Sequence, residues 1–139
     1  MSSRNNRSAF TLLEIMLVVT IIGLLLAAAI YKMTPSLDVA KQTRVEADVQ
    51  MIKTMLLAYS GRNGFYPTTE QGLKALVMKP DSDPMPTMWT QLMDSVPKDP
   101  WGTEYIYRSP GQRNPDRFDL FSAGPDRIPD TADDNWGGQ

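Results

Sequence analysis

The sequence predicts an α+β chain built on one long N-terminal helix, apolar enough in its first half to span a membrane and amphipathic in its second. Three observations lead there. Between Phe10 and Tyr31 the sole formally charged residue is Glu14. Val45, Val49, Ile52, Leu56 and Tyr59 then recur at alternating steps of four and three, which puts them on one helical face. Finally, Tyr105–Arg108 and Arg117–Ser122 carry aromatic and β-branched residues on either side of Ser109-Pro110-Gly111, the pattern of two antiparallel strands joined through a turn region.

Composition narrows the function before any motif is read. The chain has 139 residues, 14 Lys+Arg against 16 Asp+Glu and a net charge of -2, which gives no electrostatic reason to expect a nucleic-acid partner. It has no Cys and no His, so thiolate zinc sites, disulfide scaffolds, Cys nucleophiles and imidazole bases are excluded. The remaining enzymatic reading, a membrane-anchored hydrolase using paired carboxylates such as Asp99 and Glu104, is poor: no nucleophile motif and no cleft-building repeat accompany them. No enzyme is expected.

Taken in order, residues 1–9 form a polar leader whose charged residues are Arg4 and Arg7, placing positive charge on the cytoplasmic side. Residues 10–31 would make a helix about 33 Å long, close to the roughly 30 Å hydrocarbon core of a bilayer. An ordinary anchor and a signal peptide cut near Ala27-Ala28-Ala29 both compete for this stretch, and Glu14 strains both, because an intramembrane carboxylate is costly and functional by default. Gly23, inside the stretch, allows either close helix approach or local melting, or is simply tolerated.

Residues 32–64 continue the helix as an amphipathic segment, with Pro35 kinking or restarting it and Gly61 to Gly64 ending it. In residues 65–139, Thr68 to Val77 reads as a small helix opened by a capping box from Thr68 to Gln71. The proline-rich Met78–Met88 stretch is irregular, the strand pair follows, and an acidic loop from Asp126 closes the chain. Trp101, Trp136 and the many Met residues read as packing groups, with Met also suited to adaptable contacts between subunits.

The run Ser8-Ala9-Phe10-Thr11-Leu12-Leu13-Glu14, followed by Ile15-Met16-Leu17-Val18-Val19, resembles the processing motif of type IV pilin-like proteins. The resemblance implies that a prepilin peptidase cuts between Ala9 and Phe10, that Phe10 becomes an N-methylated terminus, and that Glu14 is the fifth mature residue. Ala9 stands where the family usually has Gly. Three further segments, Tyr66-Pro67-Thr68-Thr69-Glu70-Gln71-Gly72-Leu73, Pro97-Lys98-Asp99-Pro100-Trp101-Gly102 and Phe118-Asp119-Leu120-Phe121-Ser122-Ala123-Gly124-Pro125-Asp126, are similar to the signatures of the major pseudopilins of type II secretion.

That resemblance implies a pilin-like fold, with the second half of the helix packed on a small antiparallel sheet. It also implies a homopolymer: a periplasmic filament, anchored by single-pass helices in the inner membrane, that works with minor pseudopilins, an assembly platform and a cytoplasmic ATPase to move folded proteins through an outer-membrane secretin. A type IV pilin of a surface pilus is the alternative, although pilins commonly close their C-terminal region with a disulfide that this chain cannot form.

Two sites follow. Glu14 is expected to pair with the positively charged Phe10 amine of a neighbouring subunit, neutralising both at low dielectric. In the tail, Asp126, Asp130, Asp133 and Asp134 crowd together, with Asp116 and Asp119 upstream. Spacing alone favours a solvated acidic loop, since the pattern is not an EF-hand. The resemblance instead implies a structural Ca²⁺ held by Asp126, Asp133 and Asp134 with backbone oxygens. Arg127 stands where the family commonly has Gly, and Asp130 supplies either an added ligand or local charge.

Overall fold

A computed structural model describes residues 10–138, with the backbone alone for residues 32–36. The leader, with Arg4, Arg7 and Ala9, lies outside the described residues. The structure divides into two compact units, one ending at Val39 and the other starting at Ala40.

The first unit holds the start of helix α1, Leu12–Asn63. Thr11 caps it: the Glu14 N–H donates to Thr11 Oγ1 at 3.3 Å and to the Thr11 carbonyl at 3.1 Å, satisfying a donor that has no partner within the helix. Thr20 turns its hydroxyl back to the Met16 carbonyl at 2.8 Å, so the polar atom within the apolar stretch is satisfied locally. Leu12–Tyr31 is long and apolar enough to cross a membrane, and none of it is buried inside the chain. The helical backbone runs unbroken past Pro35, so the expected restart does not occur. A proline removes one donor, and the bonds of the turns on either side suffice to carry the helix through.

In the second unit the predicted stripe is the core face of α1: Val45, Val49, Ile52 and Leu56 are 0% exposed and Tyr59 is 1% exposed. They meet Leu73, Leu76, Tyr105, Tyr107, Phe118 and Leu120 in one apolar cluster. The helix ends at Asn63: the Gly64 N–H still donates to the Ser60 carbonyl at 2.7 Å, and the φ of 82° at Gly64 then turns the chain out of the helix. Gly61 lies within the helix and takes no part in the cap.

Strands β1 (Ile106–Arg108) and β2 (Asp119–Phe121) pair antiparallel in the register Ile106↔Phe121, Tyr107↔Leu120 and Arg108↔Asp119. They form where expected and are shorter than the sequence suggested. The small helix from Thr68 to Val77 is a correction. Its capping box is made, with Thr68 N–H to Gln71 Oε1 and Gln71 N–H to Thr68 Oγ1 both at 3.2 Å. Gly72 then turns the chain at φ 60°, and a single 3-10 turn, Leu73–Leu76, follows. The Gln71 amide is committed elsewhere, donating to the carbonyls of Ser82 at 2.8 Å and Pro84 at 3.2 Å, which ties down the irregular Met78–Met88 stretch.

Candidate assembly helix and acidic loop

Glu14 sits in the first turn of α1, where a carboxylate complements the positive end of the helix dipole. Thr11 is the partner that sequence reading passed over, although Thr11-Leu12-Leu13-Glu14 carries the Thr-x-x-Glu spacing of a helix start. A Cβ added at Gly23 would meet nothing within 4 Å, so no contact among the described residues requires glycine there.

The acidic loop is built from the end of β2. Ser122 and Asn135 exchange two backbone hydrogen bonds, each of 2.9 Å, which bring the tail back beside the sheet. Trp136 then stacks on Phe121 with ring centroids 4.2 Å apart, and the Arg113 guanidinium lies 4.1 Å from the Trp136 ring. Gly124 has φ 69°, and a Cβ there would run into the Asp133 carbonyl, so this crossing needs glycine. Arg127 and Asp130 hold φ of 63° and 68°, the left-handed region that favours glycine, and Arg127 occupies one of the positions noted from the sequence.

Within the loop the acids take different roles. Asp126 accepts the Ile128 N–H at 2.8 Å. Asp133 accepts the Thr131 hydroxyl at 2.7 Å and the Asp126 N–H at 3.2 Å, and these bonds, the hydroxyl foremost, hold its carboxyl below the usual range. Asp134 accepts the Asp130 N–H through Oδ2 at 2.9 Å, while its Oδ1 is buried without a partner; burial pushes this carboxyl up. Asp130 forms a bidentate pair with Arg108 of β1, at 2.7 and 2.8 Å. It is a strut between sheet and loop. Asp116 is exposed, and Asp119 lies buried beneath the Gly111–Asn114 turn.

Asp126, Asp133 and Asp134 therefore share one loop, yet among the described residues no group of three or more acids is assembled to hold a metal ion. The donor chemistry nevertheless suits a hard cation. The three carboxylates are hard oxygen donors, and Asp134 Oδ1 is a buried oxygen without a hydrogen-bond partner among the described residues.

Asp99 and Glu104 do not form a catalytic pair. Asp99 is 3% exposed and is instead a structural acceptor, while Glu104 stays exposed. It accepts the Trp101 N–H at 3.1 Å, the Thr103 N–H at 2.7 Å and the hydroxyls of Thr103 and Ser122 at 2.6 Å each. Burial raises its pKa, but the hydrogen bonds from Ser122, Thr103 and Trp101 outweigh that and hold it below the usual carboxylate range. Ser122 Oγ in turn accepts the Gly124 N–H at 3.1 Å, linking this hub to the acidic loop.

The chain is similar to known proteins along most of its length. Residues 32–136 match the family described as type II secretion system (T2SS), protein G, and residues 4–30 match the prokaryotic N-terminal methylation motif. Type II secretion system core protein G of Dickeya chrysanthemi is 42% identical over 131 residues, covering 91% of this chain and 84% of the relative. The protein of the same name from Pseudomonas aeruginosa is 42% identical over 125 residues, covering 88% and 87%. The crystal structure of the major pseudopilin from the type 2 secretion system of enterohaemorrhagic Escherichia coli superposes with a TM-score of 0.67 at 41% identity, covering 73% of this chain and 85% of that one.

Proposed function

This chain belongs to the type II secretion system protein G family, and on that premise we propose that it is the major structural subunit of a secretion pseudopilus, polymerising into a periplasmic filament that helps drive folded proteins through an outer-membrane secretin. The observation that carries the reading is a 20-residue apolar helix, Leu12–Tyr31, left uncovered among the described residues, followed by the folded family domain. Such a helix has two available covers, lipid before assembly and the helices of other copies after it.

In this reading the prepilin peptidase cuts between Ala9 and Phe10, and Phe10 is N-methylated. The helix then holds the chain in the inner membrane with the second unit in the periplasm. Glu14 draws each incoming subunit into register through the terminal amine of its neighbour, because each charge is costly alone in lipid and far less so as a pair. The minor pseudopilins and the inner-membrane platform are the partners that start and drive assembly. The role is structural rather than enzymatic.

Ca²⁺ is part of the proposal: it would neutralise the acidic loop and fix its path. Asp126 and Asp133, in contact through the Asp126 N–H, and Asp134, through its unpartnered Oδ1, are the side chains to hold it. Deleting the gene and profiling the culture medium tests the function: secreted proteins should accumulate in the periplasm, and N-terminal sequencing of the complemented protein should begin at Phe10. Unchanged secretion with a mature chain starting near Ile30 would sink the reading.

A further inference from the structure

Two hollows flank α1 in the folded unit, and they carry opposite charge. On one side Lys53, Leu57, Arg117, Phe118 and Trp136 line a hollow of about 130 Å³ whose lining contains cations and no acid. On the other side Met51, Met55, Leu92, Met93 and Asp94 line an open groove of about 640 Å³ whose lining contains an acid and no cation. Residues two apart on a helix point about 200° apart. Met51 and Met55 therefore face away from Lys53 and Leu57, with the buried stripe through Ile52 and Leu56 between them.

Among the described residues no ion pair uses Lys53, Arg117 or Asp94. Burial lowers the pKa of Lys53, as expected for an ammonium partly withdrawn from water. Other exposed acids are differently placed: Glu70 and Asp81 share a hollow with Lys74 and Lys79. Both flanks also leave apolar surface uncovered, with Met51 41% and Leu57 52% exposed.

We propose that the Lys53–Arg117 hollow of one copy receives Asp94 of the next, with the methionine wall of the groove closing over Leu57 and Trp136. The hollow is too small for a metabolite, since small-molecule sites run to about 300–1,000 Å³, and its size suits a single side chain. Methionine suits a wall that must adapt to a partner. The two patches differ and lie on opposite flanks, so the contact is heterologous and leaves each copy with a free patch. It makes rows rather than closed pairs. The inference rests on the filament reading and names the lateral contact within it.

The test uses the full chain assembled in its own secretion machinery. Lys53→Asp and Asp94→Lys should each cut the yield of sedimentable filament roughly tenfold, because like charges would then face each other across the contact. Together, the two substitutions should restore it. Since the chain has no cysteine, Arg117→Cys with Asp94→Cys should give an oxidant-dependent ladder of multimers, whereas either alone stops at monomer or dimer. Filaments from the unsubstituted chain together with no ladder and no mutual rescue would overturn the contact and leave the filament standing. An unsubstituted chain that forms no filament at all would overturn both.

Discussion

In the first half of α1, Leu13, Leu24 and Leu25 stand 79, 67 and 66% exposed, whereas in its second half the residues of the apolar stripe are closed off completely. Both halves belong to one continuous helix, so the difference is one of cover. Ala40 onward supplies its own, through the strands, the 3-10 turn and the loops fastened by Gln71, Asp99 and Asp119. The apolar half stays uncovered among the described residues. Substitutions in the two halves should therefore register in different assays: assembly for the first, unfolding of the second unit for the other.

Glu14→Leu is expected to have the largest effect, on assembly alone. Removing an intramembrane carboxylate should leave insertion intact or improved, while filaments fail or become disordered for want of a partner to the neighbouring amine. All three Trp, at 89, 101 and 136, lie in the second unit, so a fluorescence melt in detergent reports that unit and should not move. Normal filament yield from Glu14→Leu would make the carboxylate a passenger, and a lowered melt would deny the separation.

Calcium should act on the other region. A ligand that binds the native state alone stabilises it by about 2.7 kcal/mol at a hundredfold excess over Kd, so chelation should lower the melting temperature by roughly 10–20 °C. Asp126→Ala or Asp133→Ala should abolish that response and Asp116→Ala should not. Equal, small losses from every acid removed, with Mg²⁺ as effective as Ca²⁺, would reduce the loop to solvated charge.

Much of this was legible in the sequence because it is written in periodicity or in glycine. The Val45–Tyr59 stripe and the strand pair are repeating patterns, and packing gave each the place its pattern called for, while the span is legible as an apolar run with a single charge. What local spacing does not announce is a side chain that serves a distant segment. Gln71 has the right spacing for a capping box and forms it, yet its amide reaches to Ser82 and Pro84 and the helix stops. Asp99, Asp119 and Asp130 looked like members of a catalytic pair or an acidic cluster. Their partners, Ser122, the Gly111–Asn114 turn and Arg108, are brought to them by the fold, and no local spacing announces such contacts.

Asp119 offers a smaller test of the self-covered region through pH. Its carboxylate is 1% exposed and accepts the N–H groups of Gln112, Arg113 and Asn114 at 2.6, 2.9 and 3.1 Å. Burial raises its pKa, but these bonds outweigh it and the folded pKa lies below the ordinary value. A depressed folded pKa contributes stability that is complete above the unfolded value, about 3.9, and is lost as pH falls through the folded one. The melting temperature should hold steady from pH 7 to about 5 and fall below about 4. Asp119→Asn should cost about 2 kcal/mol at pH 7, since an amide N–H₂ replaces an acceptor facing backbone donors, and should shallow the acid limb. An unchanged limb would assign the acid sensitivity elsewhere.

The smallest effect expected is a gain. Arg127 holds φ at 63°, where its Cβ crowds the following carbonyl at a cost of roughly 1–2 kcal/mol, and its N–H reaches the Gly124 carbonyl at 3.3 Å, so this backbone is built into the turn. Arg127→Gly relieves that crowding but frees the unfolded chain, which takes back about 0.5–1 kcal/mol. The net gain should be about half a kcal/mol, a rise of a few degrees at most in the tryptophan melt. The salt bridge from Arg108 to Asp130 is untouched by the change, so the gain should persist in a background lacking it, such as Arg108→Gln. A loss of stability would mean that the arginine side chain holds the loop by contacts that outweigh its backbone strain.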